Sequence, residues 1–232
     1  MRFGLLQMAL GVALMAAGPV YGSLAWALAW PGVSVFYVGC GYLGLGPAVF
    51  GKDAQLGRLT TWRLLLVLPY LVVAWTLWQL KGRLLGERPH DEVAPGILVG
   101  RRPISARELP ADARLVVDLT SEFPRSAWTA KVDRYVCVPT LDTAAPTEAE
   151  LRALVDELAE EAGPIFVHCA MGHGRSATFA AALIIRRGLA ADVDDAIALM
   201  KRARPGVHLH AVQRSAVARL AASSNRALPE TP

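Results

Sequence analysis

Cys169 is followed six residues later by Arg175, with Gly172 and Gly174 between them. His168 precedes the cysteine and Ser176 follows the arginine, so the stretch reads His168-Cys169-Ala170-Met171-Gly172-His173-Gly174-Arg175-Ser176. A thiol is a strong nucleophile only as the thiolate, and a nearby guanidinium or helix N-terminus favours that form. Arginine offers a planar fork that can hold two oxygens of one anion, and it stays charged throughout. Glycines at 172 and 174 are expected to admit positive φ and to bring their backbone amides close to a ligand. The Ser176 hydroxyl can donate to the sulfur as it leaves an adduct, and His168 is placed to sit under the loop and hold its carbonyls. A nucleophile, a fixed cation and close-packed amides together suit attack on a phosphate dianion.

Such residues need elements to hold them. Pro164-Ile165-Phe166-Val167 is an apolar run short enough for a buried strand, and Ser176 to Ile185 is an Ala-rich run that reads as a buried helix. Strand, tight loop and helix aim backbone N–H groups and a helix N-terminus at one point, which suits a phosphate. A metal site made by Cys169, His168 and His173 is the competing reading. Its spacing is cramped, and no second Cys/His pair follows at zinc-site spacing.

With His168, Gly172, Arg175 and Ser176 around Cys169, the stretch resembles the signature loop of the cysteine-dependent phosphatases, His-Cys-x5-Arg-Ser/Thr. It is most similar to the dual-specificity branch, which also has glycine three places after the cysteine. The resemblance covers roughly positions 93–222. It implies Cys169 as nucleophile, with Ala170, Met171, Gly172, His173, Gly174 and Arg175 lining the substrate. It also implies a general acid on an upstream loop. Asp142, in Pro139-Thr140-Leu141-Asp142-Thr143-Ala144-Ala145-Pro146, stands in that place, 27 residues before Cys169 with one helix and one strand between. A carboxylic acid there can protonate a leaving oxygen and then take a proton from water. Asp118 lies inside an apolar strand and reads as structural. Asp133 lies between Lys131 and Arg134, where a surface pair is expected. The order of acid before cysteine sets the chain apart from low-molecular-weight tyrosine phosphatases, and the arginine sets it apart from rhodanese-like proteins. The resemblance requires no metal or organic cofactor. Gln213 lies where related enzymes orient the hydrolytic water, although a solvated helix face fits it better. Cys137 is a candidate for a protective disulfide with Cys169, while Cys40 reads as a small apolar residue in a membrane helix.

The chain has 232 residues, and its apolar content is unevenly spread. Residues 1–80 hold five of the six tryptophans, and their only charges are Arg2, Lys52, Asp53, Arg58 and Arg63. Taking these four basic and one acidic residues from totals of 24 and 20 leaves 20 and 19 for positions 81–232, a near balance that carries no nucleic-acid footprint. Three cysteines give no disulfide framework. Phe3 to Phe50 is uncharged and far longer than the ~20 residues that one membrane span requires. Breaks are available at Gly18-Pro19 and at Pro31-Gly32; the second is preferred, giving two spans, 3–29 and 32–51, with Gly18-Pro19 as a kink in the first. A third is expected over 62–80, with Trp62, Trp75 and Trp78 towards its ends. A cleaved signal peptide is not expected, because another apolar stretch follows the first. Lys81, Arg83, Arg88, Arg101 and Arg102 favour a cytoplasmic second part, whereas Lys52 and Arg58 oppose it. A reactive thiol lasts longer where thiols stay reduced, which favours the cytoplasmic side of an inner or plasma membrane.

After a charged linker over 81–92, a catalytic domain over 93–222 and a tail over 223–232 are expected. Strands are expected on either side of Pro95-Gly96, over Leu115–Leu119 and over Tyr135–Val138. Helices are expected over 147–162, capped by Thr147 with Glu150, and over 191–204 and 210–222. Strands alternating with helices give an α/β domain whose mainly parallel sheet is flanked by helices. The expected function is that of a membrane-anchored dual-specificity phosphatase acting on phosphoprotein. A lipid-phosphate phosphatase and a non-catalytic phosphate-binding membrane adaptor are the alternatives. Ala170, Met171 and His173 stand where inositide phosphatases of this branch often carry lysines. No intramembrane acid or base marks a transport pathway.

Overall fold

A computed structural model describes residues 2–84, 86–161 and 163–225. The chain divides into two units, Met1–Gly86 with Ser121–Pro124, and Glu87–Thr120 with Arg125–Pro232.

The first unit is helical: α1 (Arg2–Tyr21), α2 (Ala29–Cys40) and α3 (Thr61–Leu84). Three helical stretches, Arg2–Tyr21, Ser23–Phe50 and Thr61–Leu84, are long and apolar enough to cross a membrane. The first break is therefore not at Pro31-Gly32, and the expected boundaries 3–29, 32–51 and 62–80 shift accordingly. The chain breaks at Gly22, which takes φ +68°, a conformation that costs glycine little. Pro19 stays inside α1. Pro31 falls in the first turn of α2, where its missing N–H leaves no bond unmade. α1 and α2 pack through glycines spaced by seven. A Cβ on Gly11 would lie 2.7 Å from the Gly32 carbonyl oxygen, and one on Gly4 2.9 Å from that of Gly39. Bare backbones thus touch, as in membrane helix pairs built on small residues.

The second unit carries a five-stranded sheet in the order β1-β2-β5-β3-β4: β1 (His90–Ala94), β2 (Ile97–Arg101), β3 (Leu115–Thr120), β4 (Arg134–Thr140) and β5 (Ile165–Cys169). β1 and β2 form an antiparallel hairpin, and every other pairing is parallel. Every residue of β3 and β5 is buried, matching their continuous apolar runs. Four helices follow: α4 (Glu148–Leu158), α5 (Arg175–Arg186), α6 (Val193–Ala203) and α7 (Ala211–Asn225). The Thr147/Glu150 capping box is formed. Asp192 caps α6 through the amides of Asp194 and Asp195. α5 packs against β2, β3, β5, α4, α6 and α7, and its residues from Arg175 to Ile184 are all buried.

Two expected boundaries move. Lys81 to Leu84 finish α3, whose C-terminal end suits Lys81 and Arg83, and β1 begins at His90, so the linker is shorter than 81–92. α7 runs to Asn225 and absorbs the start of the expected tail. Residues 226–232 lie outside the described residues.

Candidate active site

Cys169 ends β5, the strand hydrogen-bonded to parallel neighbours on both sides, and Arg175 opens α5. The five residues between make the loop. Gly172 takes φ +77°, and a Cβ there would stand 2.4 Å from the Gly100 carbonyl carbon, so only glycine fits against β2. Gly174 is different from the expectation, since its φ is −107°. It stays small because a Cβ would meet the Gln213 amide at 3.3 Å.

The loop is turned so that its carbonyls face protein donors. Ala170 O accepts from Arg102 N (3.2 Å), Met171 O from Arg204 Nη2 (3.0 Å) and Gly172 O from Arg204 Nε (2.9 Å). His173 O accepts from His208 N (3.0 Å) and Gly174 O from Thr178 N (2.8 Å). On the other side Gly172 N donates to Cys169 Sγ at 3.2 Å, and Ser176 Oγ lies 3.4 Å from the same sulfur. His168 is fully buried below the loop, with Nδ1 3.9 Å from Asp118 Oδ1.

Arg175 is 1% exposed. Its Nη1 donates to the Thr140 carbonyl at 2.9 Å, at the end of β4, and lies 3.5 Å from that of Leu119. Its Nη2 stands 3.5 Å from Asp142 Oδ1. Asp142 has a side chain 71% exposed, so it stands at the solvent edge of the same site. Its loop is anchored from two sides: Leu141 is buried, and Gln213 Nε2 donates to Ala144 O at 2.9 Å. Gln213 is fully buried and also accepts from His210 N, which overturns the solvated-face reading. Cys169, Arg175, Ser176 and Asp142 thus come together although the last is supplied by a different loop.

His173 points elsewhere. Its Nε2 lies 2.6 Å from Glu87 Oε2, with the side chain 18% exposed. Asp118 is structural, as its surroundings show: it accepts from Thr120 N, Thr120 Oγ1 and Tyr135 Oη. Burial, then the Asp118 charge, pushes the Tyr135 phenol well above its ordinary value, so it stays a donor. Cys137 pairs in register with Asp118, which pairs with His168. Two strand spacings, about 9–10 Å, separate β4 from β5, beyond disulfide reach, so the candidate Cys137–Cys169 disulfide does not form in this fold, and both cysteines are free. No group of three or more His, Cys, Asp or Glu side chains able to hold a metal occurs among the described residues.

Residues 110–217 match the family model described as "Dual specificity phosphatase, catalytic domain". The second unit carries a dual-specificity phosphatase domain. Its class of activity is phosphoric monoester hydrolysis. The dual-specificity phosphatase fold recurs in solved structures. One is PTPMT1 in complex with PI(5)P, at 22% identity, covering 60% of this chain and 99% of that one, TM-score 0.53. Another structure of PTPMT1 gives 24% identity, 60% and 98% coverage and TM-score 0.51. Human DUSP28 gives 22% identity, 59% and 98% coverage and TM-score 0.50. No curated protein matches the chain in sequence. Arg204 and Glu87 were not singled out by the dual-specificity phosphatase motif. Arg204 directly follows an amphipathic helix, just before Pro205-Gly206, where a basic residue ordinarily reads as a solvated helix terminus.

Proposed function

We propose that this chain is a membrane-anchored, cysteine-dependent phosphatase that works through a phosphocysteine intermediate. Cys169 Sγ attacks phosphorus and the P–O bond to the leaving group breaks. Asp142 gives its proton to the departing oxygen. Arg175 and the loop amides hold the non-bridging oxygens, the electrostatic contribution that dominates such transfers. Water then attacks the S–P bond with Asp142 as base, releasing phosphate. Ser176 donates to the sulfur as the thiolate returns. The observation that carries the reading is the convergence on one sulfur of the Gly172 amide and the Ser176 hydroxyl, with Asp142 3.5 Å from buried Arg175.

The first unit serves as the anchor, and the catalytic unit, starting near Glu87, faces the cytoplasm, where a thiolate stays reduced. Phosphoprotein is the substrate class, because Ala170, Met171 and His173 leave the loop without the lysines that suit polyphosphorylated headgroups. A lipid phosphomonoester is the second reading. The three apolar helices favour it by restricting the enzyme to one surface, and PTPMT1, a fold neighbour, was crystallised with PI(5)P.

Full-length protein in mild detergent tests both. Phosphate release from an aryl phosphate should proceed with chelator present and cease in Cys169→Ser. Turnover that survives that substitution rejects the nucleophile. Phosphopeptide and lipid-phosphate vesicles compared side by side decide the substrate class.

A further inference from the structure

The carbonyl side of the loop is held by a side chain that the reaction itself does not require. Arg204 directly follows α6 and is 2% exposed. Nε donates to Gly172 O at 2.9 Å and Nη2 to Met171 O at 3.0 Å. Nη1 donates to Asp91 Oδ2 at 2.9 Å and to the Arg88 carbonyl at 3.2 Å. Asp91 is itself buried on β1 and also meets Arg88 Nη2 at 2.8 Å. Glu87 Oε2 lies 3.7 Å from Arg204 Nη2. All three guanidinium nitrogens are therefore engaged, two of them on consecutive carbonyls of the loop.

Peptide planarity gives that contact a consequence. A carbonyl and the N–H that follows it lie at opposite edges of one rigid plane. Pinning Met171 O towards Arg204 turns the Gly172 N–H the other way, and that N–H is found on Cys169 Sγ at 3.2 Å. Pinning Gly172 O constrains the His173 N–H in the same manner.

We propose that Arg204, braced by Asp91, is a positioning residue that aims the amides of Gly172 and His173 at the anion bound over Cys169. The inference rests on reading the loop as a phosphate site. A guanidinium that merely filled the core would contribute to stability and leave anion affinity untouched.

The test uses the full-length chain in mild detergent, with inorganic phosphate as the probe. Phosphate affinity is read from protection of Cys169 against iodoacetate, KM and kcat from an aryl phosphate, and folding from Tm. Arg204→Lys keeps the charge beside Asp91 but cannot span two carbonyls. It should fold and yet raise both the phosphate Kd and KM by about tenfold or more, with Arg204→Ala worse. Asp91→Asn keeps the guanidinium but loosens it, so its loss should be smaller and in the same direction. Folded Arg204→Lys and Asp91→Asn proteins whose Kd and KM stay within about twofold of wild type overturn the proposal, even if Tm falls. A wild type that binds phosphate without turnover overturns the enzyme reading, and Arg204 is then judged on Kd alone. A wild type that binds no phosphate overturns both.

Discussion

The two units bury different things. In the helical unit α1 and α2 bring backbone against backbone, at Gly11 with Gly32 and Gly4 with Gly39, and the exposed side chains include many Leu, Val and Trp. In the α/β unit a sheet and four helices bury an aliphatic core, and within it sit Asp118, His168, Arg175, Ser176, Arg204 and Gln213. Burying polar groups is costly unless each is partnered, and Asp118, Arg175, Arg204 and Gln213 each have partners. The helical unit shows no comparable cluster among its described residues. Glycine is needed in both, for unlike reasons: for closeness between α1 and α2, and for backbone handedness as well as closeness at Gly172.

That contrast can be broken most severely at Arg175. Arg175→Lys loses the fork but keeps the charge, and kcat/KM for an aryl phosphate should fall about 100- to 1000-fold, comparable to deleting one oxyanion donor. A smaller change would mean that the amides alone hold the anion. Gly11→Leu probes the other unit. Its side chain would meet the Gly32 carbonyl and Phe36, so α1 and α2 must separate, costing about 1–3 kcal/mol of stability in detergent. Aryl phosphate turnover per folded molecule should not change. If it does, the packing of the helical unit acts on catalysis.

How far the contrast was legible in the sequence depends on the distance over which each contact acts. Cys169, Arg175 and Ser176 are legible as a group because strand, loop and helix are contiguous, and Asp142 because it stands in the upstream loop where the resembled family carries its acid. The capping box and the Pro95-Gly96 hairpin are local devices and were readable for the same reason. Arg204 was not, since its partners Met171, Gly172 and Asp91 are remote in sequence and nothing nearby marks its side chain as buried. Gln213 is hidden for the same reason, its partner Ala144 being remote in sequence. The break at Gly22 is not legible, because Pro31-Gly32 divides the uncharged run into two pieces of spanning length, whereas Pro31 is tolerated in the first turn of α2. The spacing of Gly4, Gly11 and Gly18, answered by Gly32 and Gly39, was available as a signal for close packing.

Two smaller effects sharpen the comparison. Tyr135→Phe removes a donor from fully buried Asp118 and should lower stability by about 1–2 kcal/mol, read as Tm. In wild type the folded state holds the Tyr135 proton more tightly than the unfolded chain does. Its contribution is therefore whole below the ordinary phenol value near 10 and declines as pH rises past it. Tyr135→Phe should flatten that alkaline decline. Arg186→Gln breaks a half-exposed pair with Asp156 and should cost no more than about 0.5 kcal/mol, which sets the floor against which the buried pairs are measured.

The seat of Gly172 against Gly100 reaches beyond catalysis. A Cβ at 172 would strike the Gly100 carbonyl carbon and oxygen, atoms that every residue at 100 carries, so no change of side chain at 100 makes room for it. Anyone transplanting a different loop onto this scaffold must therefore keep glycine three places after the cysteine or move the neighbouring strand itself.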